Sequence, residues 1–404
     1  MYRISCCSDT EDLQPHKVIA VLHTASDTQA GARTPLNKQQ LPSDVPGTPF
    51  SSLRGRRLRT PNGAWDTRNS ESLLNALGNH LTLANAPNNR LFPGFQQASF
   101  NLLVNEKLLC EDGADARYVP GKDWKFRVWV GGRMDFRMPW MSWSTETNNG
   151  VCTVEKVSDI QINGDLANED AKVMVTLTKS YLHGHKILRN GSFRWSPLKD
   201  ALPYVTEKKH LCFMRQVPAS LRSVEILRKF PPPVQPFYAQ TMVPSAALLF
   251  RFSAVTNNDH RIHLDTEFTQ RVYGIPKLLV HGPLTAVLML EVLRKSLEIY
   301  AGAGPSIYAV KHFDYKNLMP LFVDEKITIA CKKSDTADSD DEQSTPRIDG
   351  SQEKWQVWIQ KGQGENATLA VKGKAIVTAH RKEVRDGIQQ PVKSPANSVV
   401  SPEL

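Results

Sequence analysis

Four side chains able to move protons or orient hydroxyls, Asn258, Asp259, His260 and His263, fall within six residues of one polar loop. Imidazole titrates nearest neutral pH, so a histidine pair suits proton transfer. Further along, a second loop ends in Val280-His281-Gly282-Pro283 and leads into a segment that meets no charge until Glu291. A glycine at that point lets a ligand come close to the backbone, and its N–H at the positive end of a helix suits an oxyanion. Taken from the residues alone, the pattern is a base beside a backbone donor, the equipment for removing a proton next to a polarised carbonyl. The alternative reading is two surface histidines and an ordinary Gly-Pro turn.

The elements that must position these groups are legible in part. Leu284, Val287, Leu288 and Glu291 recur at three and four, which predicts a helix from about Leu284 to Tyr300. Pro283 suits its first position, and Gly302 and Gly304 suit its stop. Its start is apolar nearly all round and therefore buried. The apolar run Ala246 to Phe250 precedes the polar loop.

These stretches resemble a known family. Phe252-Ser253-Ala254-Val255-Thr256, then Arg261-Ile262-His263 and Asp265, then Val280-His281-Gly282-Pro283-Leu284-Thr285-Ala286 look like the MaoC-type hot-dog hydratases and dehydratases. Within that group the likeness is to fungal hydroxyacyl-thioester dehydratase type 2 and the mesaconyl-CoA hydratase-like proteins. The resemblance puts the catalytic histidine on His263 and the oxyanion-binding glycine on Gly282, with His281, His260 and Arg261 as further substrate-binding candidates. The family's catalytic aspartate falls on Asn258, its glycine on Asn257, its asparagine on His260 and its proline on Arg261. Asn258 is then the second catalytic candidate, able to orient a hydroxyl or a water but not to act as a base. Asp259 is the carboxylate adjacent in sequence, and stands one residue too near His263 for the family spacing. No cofactor and no metal are expected. The implied activity is reversible dehydration of a 3-hydroxyacyl thioester, on acyl carrier protein or coenzyme A, to the trans-2-enoyl thioester, in fatty-acid or related acyl metabolism. The alternatives are a non-catalytic acyl-thioester-binding protein on the same fold, or a mesaconyl-CoA-type hydratase of secondary metabolism.

Composition bounds the rest. The 404 residues suffice for one large or two ordinary domains, and 40% hydrophobic residues fit a globular chain with unstructured segments. No run approaches the eighteen or so apolar residues a membrane span needs. Six cysteines lack C-x-x-C spacing, so free thiols are expected. The net charge of +9 suits an anionic carrier such as coenzyme A or an acidic carrier protein. Nucleic-acid binding would rest on that charge alone, and no binding motif accompanies it. The acidic residues Asp9, Glu11, Asp12 and Asp27 make a poor presequence, so a mitochondrial address follows from the resemblance alone, with the cytoplasm as alternative. A homodimer is compatible with the fold.

The expected class is α+β, a double hot dog of two curved antiparallel sheets, each wrapped around a helix. Residues 1–68 are rich in Ser, Thr, Pro and Gly and are expected to be disordered. Residues 69–220 form a degenerate first half and 221–245 a linker through Pro231-Pro232-Pro233. Residues 246–380 are the MaoC-like catalytic half, and 381–404 a disordered tail. In the first half, Arg127-Val128-Trp129-Val130-Gly131-Gly132 resembles the family's R-x-W-x-G-G, where the aromatic packs and the glycines allow close backbone contact; the other reading is a strand bulged at the glycines. Val151–Lys156, Ala171–Thr178, Glu207–Arg215, Ile307–Tyr315, Trp355–Gln360 and Ala367–Thr378 read as strands, Ser70–Leu83 as a helix, and Phe193–Leu202 as loop.

Overall fold

The computed structural model describes residues 50–60, 68–85, 92–100, 104–137, 150–189, 192–197, 200–223, 229–303, 306–334 and 352–381. Most of the stretches expected to be disordered, residues 1–68 and 381–404, lie outside them.

In chain order the first half comprises β1 (Arg57–Thr60), α1 (Arg68–Gly78), α2 (Gln96–Ser99), β2 (Phe126–Phe136), β3 (Gly150–Asn163), β4 (Lys172–Arg189), β5 (Ser192–Pro197) and β6 (Val205–Met214). After the short α3 (Ala219–Arg222) come β7 (Tyr238–Met242), α4 (Ala246–Thr256), α5 (Thr266–Tyr273) and α6 (Gly282–Ala301). The chain closes with β8 (Ser306–Asn317), β9 (Ile327–Lys333), β10 (Gln352–Lys361) and β11 (Thr368–Arg381).

The strands form one antiparallel sheet in the order β1-β3-β4-β6-β2-β8-β11-β10-β9-β7, with β5 paired to β4. Counted outward from the centre, β2-β6-β4-β3-β1 mirrors β8-β11-β10-β9-β7. The topology is therefore an internal repeat, joined where β2 pairs with β8 between Gly131–Lys316 and Asp135–His312.

The glycines sit at that seam. β2 carries a bulge between Trp129 and Gly131 opposite β6, and Gly131 has φ +152°. A Cβ on Gly131 would meet the Tyr315 carbonyl oxygen at 2.3 Å, and one on Gly132 the Lys208 carbonyl oxygen at 2.6 Å. Both readings of the Gly pair therefore hold, since the bulge is what brings three strands together there.

In the second half the sheet wraps α6, as the apolar pattern requires. Leu284, Ala286, Val287, Leu288 and Met289 are all fully buried, and each such large side chain stabilises by roughly 1.5–3 kcal/mol relative to exposure. Glu291 is buried too, and is matched by Arg294 at 2.7 Å, whose guanidinium also donates to the Ala84 carbonyl. Gly302 ends the helix at φ +52°.

In the first half α1 and the short α2 join the core beside the sheet, Leu73 and Leu77 clustering with Met134, Phe136 and Tyr181, while Gln96 donates to Met134 Sδ and Gln97 to Glu207. Three readings are corrected. Phe193–Pro197, expected to be loop, lies in β5, which pairs with β4. The stretch expected to be linker contains β7, which pairs with β9 through Tyr238–Met242 as the outer strand of the second half. β1 likewise lies in a stretch expected to lack structure and pairs with β3.

Candidate active site

Local capping brings the loop histidines into register. Ser245 caps α4 by accepting the Leu248 N–H at 3.1 Å. The helix ends at Asn257, left-handed at φ 48°, and Asn258 N–H then reaches the Ser253 carbonyl at 3.0 Å. A single 3-10 turn, Arg261–His263, follows, and Asp265 caps α5 by accepting the Phe268 N–H at 2.9 Å. Those caps fix where each histidine ring lands.

His263 is buried, and its Nδ1 lies 2.7 Å from the Leu279 carbonyl oxygen. A carbonyl only accepts, so Nδ1 carries the proton and Nε2 keeps a lone pair. Nε2 has no partner among the described residues, and His263 lines a cavity of about 230 Å³ together with Asn258, Asp259, His260 and Gly282. Burial, with His260 adding to it, pushes the His263 imidazole down to about 3, so it is neutral near pH 7.

Behind it stands His281, fully buried and stacked on His263 with ring centroids 3.7 Å apart. Its Nε2 meets Ser253 Oγ at 2.8 Å. His281 lines neither of the two cavities beside His263, and its ring backs that of His263. Arg261 is drawn off as well, to Asp265 at 2.6 Å and over the Phe268 ring at 3.8 Å.

Gly282 opens the twenty-residue α6. Its N–H has no acceptor among the described residues, as befits a first helical position. It borders the 230 Å³ cavity and also a second one of about 460 Å³, lined by Val128, Val130, Leu279, Asn317, Met319 and others. Trp129 borders both cavities beside Gly282, and its Nε1 donates to Tyr315 OH at 2.8 Å.

One group was not found from sequence. Asp112, in the first half, is buried with Oδ2 3.1 Å from His260 Nε2 and 2.7 Å from Tyr273 OH. Its own turn fixes it, since Oδ1 accepts the Ala114 N–H and the Asp112 carbonyl accepts the Arg261 N–H at 2.8 Å. The His260 hydrogen bond and charge, with Arg127 and Tyr273, outweigh burial and hold the carboxyl well below its ordinary range. Gly113 permits the docking, because a Cβ there would lie 2.0 Å from the Asp259 carbonyl oxygen. An Asp-Gly pair suits a turn, but nothing local in the sequence points to a residue almost 150 positions away. Asp259 itself is exposed, and Asn258 is half-buried with Oδ1 accepting the His260 N–H at 3.2 Å.

The arrangement is a neutral imidazole with an open Nε2, a free helix-start N–H, and a second imidazole tied to a buried carboxylate. Comparison with known proteins is consistent with it. The family described as "Hydroxyacyl-thioester dehydratase type 2" matches residues 94–323, more than half the chain. The chain is 54% identical over 63 residues to a mesaconyl-C(4)-CoA hydratase of Chloroflexus aurantiacus, a match covering 16% of this chain and 22% of that protein. It is 23% identical over 254 residues to the mitochondrial hydroxyacyl-thioester dehydratase type 2 of Schizosaccharomyces pombe, covering 60% and 78% respectively. Among solved structures, a MaoC-like dehydratase from Phytophthora capsici superposes with a TM-score of 0.50 at 12% identity, over 81% of this chain and 97% of that one, a likeness of fold.

Proposed function

The chain belongs to the hydroxyacyl-thioester dehydratase type 2 family, and from that premise we propose that it reversibly dehydrates a 3-hydroxyacyl thioester to the trans-2-enoyl thioester. The observation that carries the reading is His263, its Nδ1 proton spent on the Leu279 carbonyl and its Nε2 open to the cavity that Gly282 also borders. The C2–H of a thioester is acidic enough to lose only when the carbonyl is polarised. The Gly282 N–H, at the positive end of α6, donates to that oxygen and stabilises the enolate. His263 Nε2 takes the C2 proton, and the electron pair forms the C2–C3 double bond as the C3 hydroxyl departs. The same imidazolium returns its proton to that hydroxyl, which leaves as water. Asn258 orients the hydroxyl.

During the step His263 carries a positive charge in a buried place. Asp112 supplies compensating negative charge through its hydrogen bond to His260, whose ring centroid lies 5.6 Å from that of His263. On this reading Asp112 does from the first half what the family's aspartate does from the position that Asn258 occupies here.

The substrate carrier is coenzyme A or acyl carrier protein. The place of work is the mitochondrion, supported by the name of the Schizosaccharomyces pombe relative, with the cytoplasm as alternative. The test is hydration of crotonyl-CoA and of a crotonyl acyl-carrier-protein thioester by the full chain. The reading requires turnover with at least one carrier and its loss in His263→Ala; a chain that binds both and turns over neither is the non-catalytic alternative.

A further inference from the structure

One short segment serves the site three times. Leu279 donates its N–H to the Ile262 carbonyl at 3.0 Å, and its own carbonyl receives the His263 Nδ1 proton at 2.7 Å. Two residues on, the His281 ring lies on that of His263, with centroids 3.7 Å apart and planes within 24°. The next residue is Gly282, which opens α6. The base and the oxyanion donor are thus tied to one stretch of backbone, with His281 between them.

Histidine is an expensive choice for that place. His281 is fully buried, and its Nδ1 has no hydrogen-bond partner among the described residues. An unmet buried polar atom costs about 1–3 kcal/mol, which an apolar side chain would avoid. The ring is nonetheless held firmly. Its Nε2 meets Ser253 Oγ at 2.8 Å, and Ser253 is itself buried in α4. Phe252 of the same helix closes on it with centroids 4.9 Å apart and a tilt of 60°. Those two contacts keep the His281 ring from turning.

A single hydrogen bond does not hold an imidazole. With Nδ1 tied to Leu279, the His263 ring is still free to rock about that bond, and Nε2 swings with it. His260 meets His263 only edge-on, at 87°. The flat face of His281 removes the rocking. We propose that His281 is a positioning residue, one that locks the plane of the His263 ring so that Nε2 stays aimed at the substrate C2–H while the adjacent Gly282 N–H holds the thioester oxygen. Misplacing a reacting group by about 1 Å can cost ~10²-fold in rate. Burial, with His263 and His260 nearby, holds His281 well below the ordinary histidine range and so uncharged. The imidazolium formed when His263 takes the C2 proton therefore meets no second positive ring across the stack. The part played in turnover rests on the dehydratase reading; the hold on the ring does not.

The experiment compares full-length His281→Leu, His281→Phe and Ser253→Ala with wild type. The Nδ1–H of His263 is followed by nitrogen-edited proton NMR, its resonance being the one that His263→Ala lacks. In wild type it should be sharp and slow to exchange. His281→Leu fills the space without a flat face. It should broaden or abolish the resonance and lower kcat by about tenfold or more, with KM within a few-fold. His281→Phe still lays a ring on His263 and should keep the resonance and most of the rate. Ser253→Ala, which frees the His281 ring to turn, should fall between the two. An unchanged resonance and kcat in His281→Leu would overturn the proposal, and so would a loss confined to KM, which makes His281 a ligand contact. Should His281→Leu fail to fold, the other two decide: a folded His281→Phe without the resonance, or a Ser253→Ala identical to wild type, overturns it too. If wild type hydrates neither crotonyl thioester, the dehydratase reading fails and the resonance alone decides this one.

Discussion

Trp129 and Gly282 are locked together: a Cβ on Gly282 would lie 2.7 Å from both Cβ and Cγ of the tryptophan. The clash is with the root of the indole, which cannot swing aside. Gly282 is thus needed for packing across the two halves as well as for its N–H. Gly282→Val should lower activity and stability together, overpacking of this kind costing about 1–3 kcal/mol. Trp129→Ala in the background of Gly282→Ala should restore most of the melting temperature without restoring kcat. Since alanine keeps the backbone N–H, restored kcat would mean that the rate was lost through the clash with Trp129 and not through a blocked approach of the carbonyl to that N–H.

His263→Ala should lower kcat by about two orders of magnitude or more, the usual worth of a positioned base. Circular dichroism and melting should report a folded protein, because the 3-10 turn that carries His263 is held by its neighbours. A variant with near wild-type turnover would remove His263 from the chemistry.

The loop offers a three-way comparison. Asp259 is exposed, so Asp259→Asn should change kcat only a few-fold. Asn258→Ala should cost more, and Asn258→Asp should retain or raise the rate. Asp112→Asn, which leaves a hydrogen-bonding side chain without charge beside His260, should lower kcat by at least tenfold, in the range of a lost acid–base partner. Steady-state kinetics on the four variants is the check, and a collapse confined to Asp259→Asn would transfer the role to that residue.

Stability should fall in mild acid. Burial lowers the affinity of His260, His263 and His281 for a proton in the folded state. The unfolded chain begins to take up those protons below about 6.5, while the folded chain does not. Stability is therefore fully present above that pH and is lost as pH falls, by up to about 1.4 kcal/mol per histidine per pH unit. Urea unfolding at successive pH values should give a midpoint that declines from pH 7 to 5. In His281→Gln, which keeps a group able to meet Ser253, the decline should be shallower.

How far the sequence reached depends on how local the cause was. The Gly282–Ala301 helix was legible because its apolar spacing, its proline start and its glycine stop lie within the segment. His263 and Gly282 were legible as a pair through motif order. β5 was missed because its pairing with β4, not its own pattern, makes it a strand. Asp112 was missed because its role exists only once the first half docks on the loop. Lys179 on β4 and Glu207 on β6 stand among polar neighbours, Thr178 and Ser180, Thr206 and Lys208, as residues of a solvent-facing strand do, yet both are buried. Only the topology turns that side inward.

The seam between β2 and β8 bears on how the site responds to dilution. Trp129 against Gly282 and Asp112 against His260 are contacts between repeats, yet both repeats lie on one chain and in one hydrogen-bonded sheet. Assembly of the pocket is then a first-order event, with an effective concentration set by the connecting chain and not by how many molecules are present. A site shared between separate subunits would come apart as they dissociate. This one should keep the same specific activity however thinly the protein is spread, and each repeat is free to drift toward a different task without spoiling a partner.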